Sequence, residues 1–158
     1  MLQKIKAFIL LDFKMKLMFI EAYVYLGWAR VFKLLPFSKV VSSLGDQMEE
    51  TTLTLTPSHK KTLLEVSQAI HIMSRYTFWE SQCLVKAVAG MKMLEKRGIE
   101  STLYLGTAKD ENGKLIAHAW LRSGPFYISG VEGMDKFTVV SKFAKKVSNP
   151  QIEGENYG

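Results

Sequence analysis

The chain has 158 residues, 47% apolar and 23% charged, with 21 basic against 15 acidic residues for a net charge of +6. That length suits one hydrophobic core and is short for two domains, and the composition excludes global disorder. The basic excess is moderate, and no zinc-finger spacing, RNA-binding sheet motif or basic-helix repeat accompanies it, so nucleic acid is not the expected partner.

A single cysteine, Cys83, excludes an intrachain disulfide and fits a reducing compartment, so a cytoplasmic protein is expected. The N-terminus is basic and apolar, but Asp12, Lys14 and Lys16 interrupt the run and no small-residue cleavage site follows. The most apolar window, residues 17–28, contains Glu21 and falls short of the roughly 20 residues that a membrane span requires. Membrane association is therefore not expected.

Residues 2–34 read as one or two helices. Ile5, Ile9, Phe13 and Leu17 lie four apart, and Ile20, Val24, Trp28 and Phe32 repeat the spacing. The apolar face is broad and aromatic. It suits a helix packed on the core, a surface for a partner protein, or a helix lying on a membrane, and spacing alone leaves all three open. Pro36 ends it. Residues 37–55 are transitional, with 51–55 (TTLTL) alternating like a short strand or extended linker. Thr56-Pro57 is a helix-start signal, and Leu63, Val66, Ile70 and Met73 mark one face of the helix that follows. His59 is expected in solvent at its first turn and His71 at the edge of its apolar stripe. Neither HxxxH nor HExxH occurs, so no metal site is expected.

The stretch WESQCLVKAVAGMKMLEKRG, residues 79–98, organises the rest. Leu84, Val88, Met91 and Leu94 recur at helical spacing, and Gly98 is a helix stop. Cys83 thus opens a helix, where free backbone N–H groups and the helix dipole stabilise negative charge. Beyond Gly98 the period changes to two. Strands are predicted at 102–106, 115–122 and 126–129, with Asn112-Gly113 as a hairpin turn, and 137–143 supplies a fourth strand or a final packed segment. The polar tail from Ser148 is expected to fray. Helices followed by antiparallel strands make an α+β domain.

Cys83 and His118, in the strand AHAWL, are candidates for nucleophile and base: a thiolate attacks a carbonyl, and an imidazole manages the proton. The oxyanion would be held by the Cys83 N–H and by a side chain just upstream, with Gln82 and Trp79 as candidates. Gln82 is adjacent to the cysteine, and neighbouring helical residues point apart. Taken singly, Cys83 also reads as an inert buried thiol and His118 as a hydrogen-bonded strand histidine.

The run from Cys83 through Arg97-Gly98-Ile99 to Ala117-His118-Ala119-Trp120, with Leu35-Pro36-Phe37 near the start, resembles the leader peptidases of lasso peptide biosynthesis, which are transglutaminase-like. The resemblance covers nearly the whole chain. It implies a transglutaminase-like or papain-like cysteine protease core at 51–147, behind an amphipathic helical region at 1–50 and ahead of a tail at 148–158. It implies cleavage of a ribosomally made precursor at the junction of leader and core, with no cofactor. A macrolactam synthetase using ATP would then close a ring on the freed amine. At 158 residues the chain corresponds to the split form, which takes a separate leader-recognition protein as partner, and the aromatic helical region is the expected docking surface.

The family's third catalytic residue, often an aspartate about 12 positions after the histidine, corresponds here to Gly130. If residues 123–125 form a three-residue turn, Gly130 lies opposite His118 and Glu132 is the nearest carboxylate on that face. Glu132 is the favoured third member, with Ser129 taking its place in a turn one residue shorter and Asp135 behind both; a backbone carbonyl or a water also satisfies the geometry. A transglutaminase-like acyltransferase needs the same pair of residues, and a non-catalytic peptide-binding module needs neither.

Overall fold

The computed structural model describes residues 2–79 and 81–147; the tail from Ser148 lies outside them. Two helices open the chain, α1 (Leu2–Leu10) and α2 (Phe13–Phe32), broken where Asp12 takes an extended conformation. A single turn, α3 (Phe37–Val40), follows Pro36, and a 3-10 turn leads to a two-residue strand, β1 (Asp46–Gln47). The chain then runs without strand pairing to a 3-10 turn at Pro57–His59 and the helix α4 (Lys60–Met73). Next come α5 (Cys83–Lys96) and four strands: β2 (Ser101–Lys109), β3 (Leu115–Ser123), β4 (Phe126–Ser129) and β5 (Thr138–Lys145). The sheet is antiparallel with order β1-β5-β2-β3-β4, so the last strand in sequence sits inside it. Among the described residues no helix is long and apolar enough to cross a membrane.

The core is built around α5. Val85, Ala87, Val88, Ala89, Met91, Met93 and Leu94 are all buried, because α2, α4 and the sheet cover it on three sides. The sheet's contact face alternates as Leu103 and Leu105 on β2 with Ala119 and Leu121 on β3. Gly90 permits the close approach: a Cβ there would lie 2.9 Å from Leu121 Cδ2. The end of α5 is a Schellman cap, with Gly98 at φ 66°, its N–H donating to Glu95 O and that of Ile99 to Leu94 O. Beside it Arg97 grips Glu21 with both guanidinium nitrogens, at 2.6 and 2.9 Å, joining α2 to α5.

The structure resolves three points that the sequence leaves open. Residues 51–55 are the linker and form no strand; Thr51 is pinned on the outer face of the sheet by its N–H and hydroxyl on Thr102 Oγ1 and by Arg122 Nη2 on its carbonyl. Arg122 is buried there, donating also to Tyr104 Oη and to the carbonyls of Thr52 and Gly124. The residues of α2 that face the core are Met18, Phe19, Ala22, Leu26 and Ala29, whereas Ile20, Val24 and Trp28 point outward. The turn between β3 and β4 is two residues long, with Ser123 paired to Phe126, and an irregularity at Leu121/Arg122 then sets Ser129 opposite Leu121. Shortening the turn moves the partner of His118 toward the C-terminus, so Ser129 is not its cross-strand neighbour.

Candidate active site

Cys83 is the first residue of α5, preceded by Gln82 in extended conformation. The Gln82 carbonyl accepts the first helical bond from Lys86 N–H at 3.0 Å, leaving the early N–H groups of the helix free at the cysteine. The thiol is half-buried, its back against the core. Across from it stands β3, where Ala119 and Leu121 face α5 and His118, Trp120 and Arg122 lie on the other face. His118 lies beyond the last pair of β3 and β4, Leu121 with Ser129, and lines the cleft together with residues 127–132.

The imidazole is fixed on three sides. Its Nε2 lies 2.7 Å from the carbonyl oxygen of Gly130, and its ring is flanked by Phe137 and Trp120 with centroids at 5.0 and 5.7 Å. A carbonyl only accepts, so Nε2 carries the proton and, in the neutral ring, Nδ1 is the basic nitrogen. Gly130 makes this contact at φ 76°, and a Cβ there would meet the Ala119 carbonyl oxygen and lie 2.9 Å from Trp120 Cα. A glycine is thus required where the resemblance led one to look for an aspartate. The orienting group is main chain.

Cys83 and His118 line one cleft of about 410 Å³, walled by Ser67, Ile70 and His71 of α4 and by residues 127–132. Among the described residues no hydrogen bond joins the thiol to the imidazole. Glu132 lines the same cleft, exposed, and among the described residues makes no hydrogen bond or ion pair. Ser129 Oγ is buried without a hydrogen-bond partner among the described residues, and Asp135 is exposed in the 3-10 turn Met134–Lys136. His71 shares the cleft, but its Nε2 is occupied by Arg75 Nη2 at 2.8 Å. His118 is therefore the better placed base. Ser67 Oγ donates to Ile128 O at 2.7 Å, tying α4 to β4 across the floor of the cleft.

The two oxyanion candidates have different surroundings. Gln82 Oε1 accepts from Lys33 Nζ at 2.7 Å, which turns its carbonyl end toward α2. The Trp79 indole lies on α2, 5.1 Å from the Tyr23 ring and against Gly27, and its Nε1 is buried with no hydrogen-bond partner among the described residues. Among the described residues no group of three or more His, Cys, Asp or Glu side chains is arranged to hold a metal.

The α+β arrangement thus has a helix that opens on a cysteine, packed on an antiparallel sheet, with a histidine lining the same cleft, residue types that suit thiol chemistry. The model of the transglutaminase-like superfamily matches residues 31–142, and the chain belongs to that superfamily. It is generally a family of cysteine-dependent enzymes and includes cysteine peptidases. No curated protein and no solved structure matches the chain.

Proposed function

We propose that this protein is a cysteine peptidase that removes the leader from a lasso peptide precursor at the leader–core junction. The observation that carries the reading is the shared cleft of Cys83 and His118, with the imidazole oriented by the Gly130 carbonyl so that Nδ1 is the free base. The motif resemblance from Cys83 to Trp120 supplies the substrate class.

In this mechanism Cys83 Sγ gives its proton to His118 Nδ1 and attacks the carbonyl carbon of the scissile bond. The oxyanion takes the Cys83 N–H as one donor, and Trp79 and Gln82, just upstream, are the candidates for the second. Collapse breaks the C–N bond, and the imidazolium protonates the departing amine of the core peptide. Water, deprotonated by His118, then hydrolyses the thioester and frees the leader as a carboxylate. The freed amine is the nucleophile that an ATP-dependent macrolactam synthetase would use. A separate leader-recognition protein delivers the precursor, and the reaction takes place in the cytoplasm.

The test is mass spectrometry of the cognate precursor incubated with the protein, with and without the recognition partner. One cut at the junction, absent in Cys83→Ala and His118→Ala and accelerated by the partner, is expected. A cut that survives Cys83→Ala refutes the mechanism, and a product joined to an added amine instead of water makes the protein an acyltransferase.

A further inference from the structure

The helix α2 has two apolar faces. One is buried in the core. The other carries Phe13, Leu17, Ile20, Val24, Trp28 and Val31, each between 40% and 71% exposed. Their steps of three and four residues confine them to an arc of about 80° over a length of about 27 Å. Such a stripe is as narrow as the seam by which one helix packs on another, knobs into holes. A helix that lies on a bilayer has its polar face in water opposite the apolar one. Here the opposite face is core.

Charge narrows the choice of occupant. Residues 1–45 contain seven basic residues and two acidic ones, so they carry nearly all of the chain's net charge of +6. Of the two carboxylates, Glu21 is already held by Arg97 and Lys96. Lys16 and Arg30 flank the stripe on one side. A second copy would press two cationic segments together, with Asp12 the one carboxylate of each not already paired among the described residues. An acidic partner is complementary.

We infer that the outer face of α2 is a docking seam for an amphipathic helix with acidic flanks, carried by a partner protein. This holds whatever reaction Cys83 performs. The seam adjoins the candidate site: Gly27 and Tyr23, on the flank of α2 beside Lys16 and Arg30, support Trp79, and Lys33 at the end of the helix reaches Gln82, in the segment that leads into Cys83. An occupant of the seam thus lies next to the Trp79 indole, at the edge of the segment that leads into the cysteine.

The test uses the full chain and two fluorescent synthetic helices of about 21 residues with leucine at the seam positions, one flanked by glutamate and one by lysine. Anisotropy should show binding of the glutamate helix, weakened as ionic strength rises from about 0.05 M to about 0.5 M. Leu17→Lys combined with Val24→Lys should weaken it by at least about tenfold. Leu64→Lys, an exposed apolar position on α4, should leave it unchanged. Circular dichroism confirms that each variant is folded. Equal binding of the two helices, no binding of either, or binding that survives the double substitution overturns the proposal. So does a dimer in light scattering that the double substitution dissociates, which would make a second copy the occupant. Adsorption to vesicles of equal parts phosphatidylglycerol and phosphatidylcholine that the same substitution abolishes, without helix binding, would assign the face to lipid.

Discussion

Gly130→Ala tests the main-chain orientation of His118. The residue sits at φ 76°, in the left-handed region that costs a residue with a Cβ about 1–2 kcal/mol. The new Cβ also meets the Ala119 carbonyl oxygen and comes within 2.9 Å of Trp120 Cα. Both are backbone atoms of β3, so the 130 loop has to move, at about 1–3 kcal/mol more. The sum is about 2–5 kcal/mol, or a fall in Tm of roughly 5–15 °C for a chain of this size. The same movement draws the carbonyl away from His118 Nε2, now 2.7 Å distant. Misplacing a catalytic group by about 1 Å costs up to about 100-fold, so kcat/KM for precursor cleavage should drop about 10- to 100-fold at a temperature where both proteins are folded. Urea unfolding gives the first number and the cleavage assay the second. Glu132→Gln and Asp135→Asn should each retain kcat/KM within about twofold, because neither exposed carboxylate makes a hydrogen bond or ion pair among the described residues and the imidazole is held by the Gly130 carbonyl. If Gly130→Ala keeps full activity, or if Glu132→Gln loses activity at unchanged Tm, the carbonyl is not the orienting group.

Other outcomes follow from the polar clamps. In Glu21, burial pushes the carboxyl up, and the hydrogen bonds and charge of Arg97 more than reverse it, so its pKa lies below the usual value. Such a group contributes stability that is complete above its unfolded pKa and lost as pH falls through the folded one. Glu21→Gln should therefore cost about 1–3 kcal/mol at neutral pH, with the two unfolding curves converging below about pH 4. A gap that persists at acid pH would show that the lost contact is packing and not charge. Arg122→Met strips the buried donors from the carbonyls of Thr51, Thr52 and Gly124 and should cost about 3–4 kcal/mol in urea unfolding. Arg122→Lys should recover less than half, since one ammonium does not replace a planar fork.

The cysteine helix was legible because its signals agree: an apolar stripe, a free N-terminus at Cys83 and a glycine at the left-handed cap. The hairpin was legible for a similar reason. Asp110 Oδ1 accepts from the N–H groups of Asn112 and Lys114, so the turn chemistry is local. The face of α2 was not legible. Periodicity works by contrast, and a helix apolar on opposite sides offers little. The four-residue spacing picked out Ile20, Val24 and Trp28, which face outward. Neither was β1, whose pairing with β5 depends on residues nearly a hundred positions away. The contact between Gly130 and His118 has no side-chain signature, because any residue has a carbonyl. What marks it is a glycine at a place where a Cβ does not fit.

The position of β5 sets an order of assembly during synthesis. Once residue 132 has emerged, α5 and the β2–β3–β4 meander have all their mutual contacts available, and with them the walls of the cleft that holds Cys83 and His118. The other edge of β2 stays unpaired until residues 138–145 arrive, and β1, made long before, has nothing to join until then. The nascent chain therefore carries an open strand edge beside the walls of the cleft, the condition in which chaperones and misplaced strands compete for a protein. A chain that stops ahead of Thr138 keeps that edge exposed, and should be found in inclusion bodies or bound to chaperones.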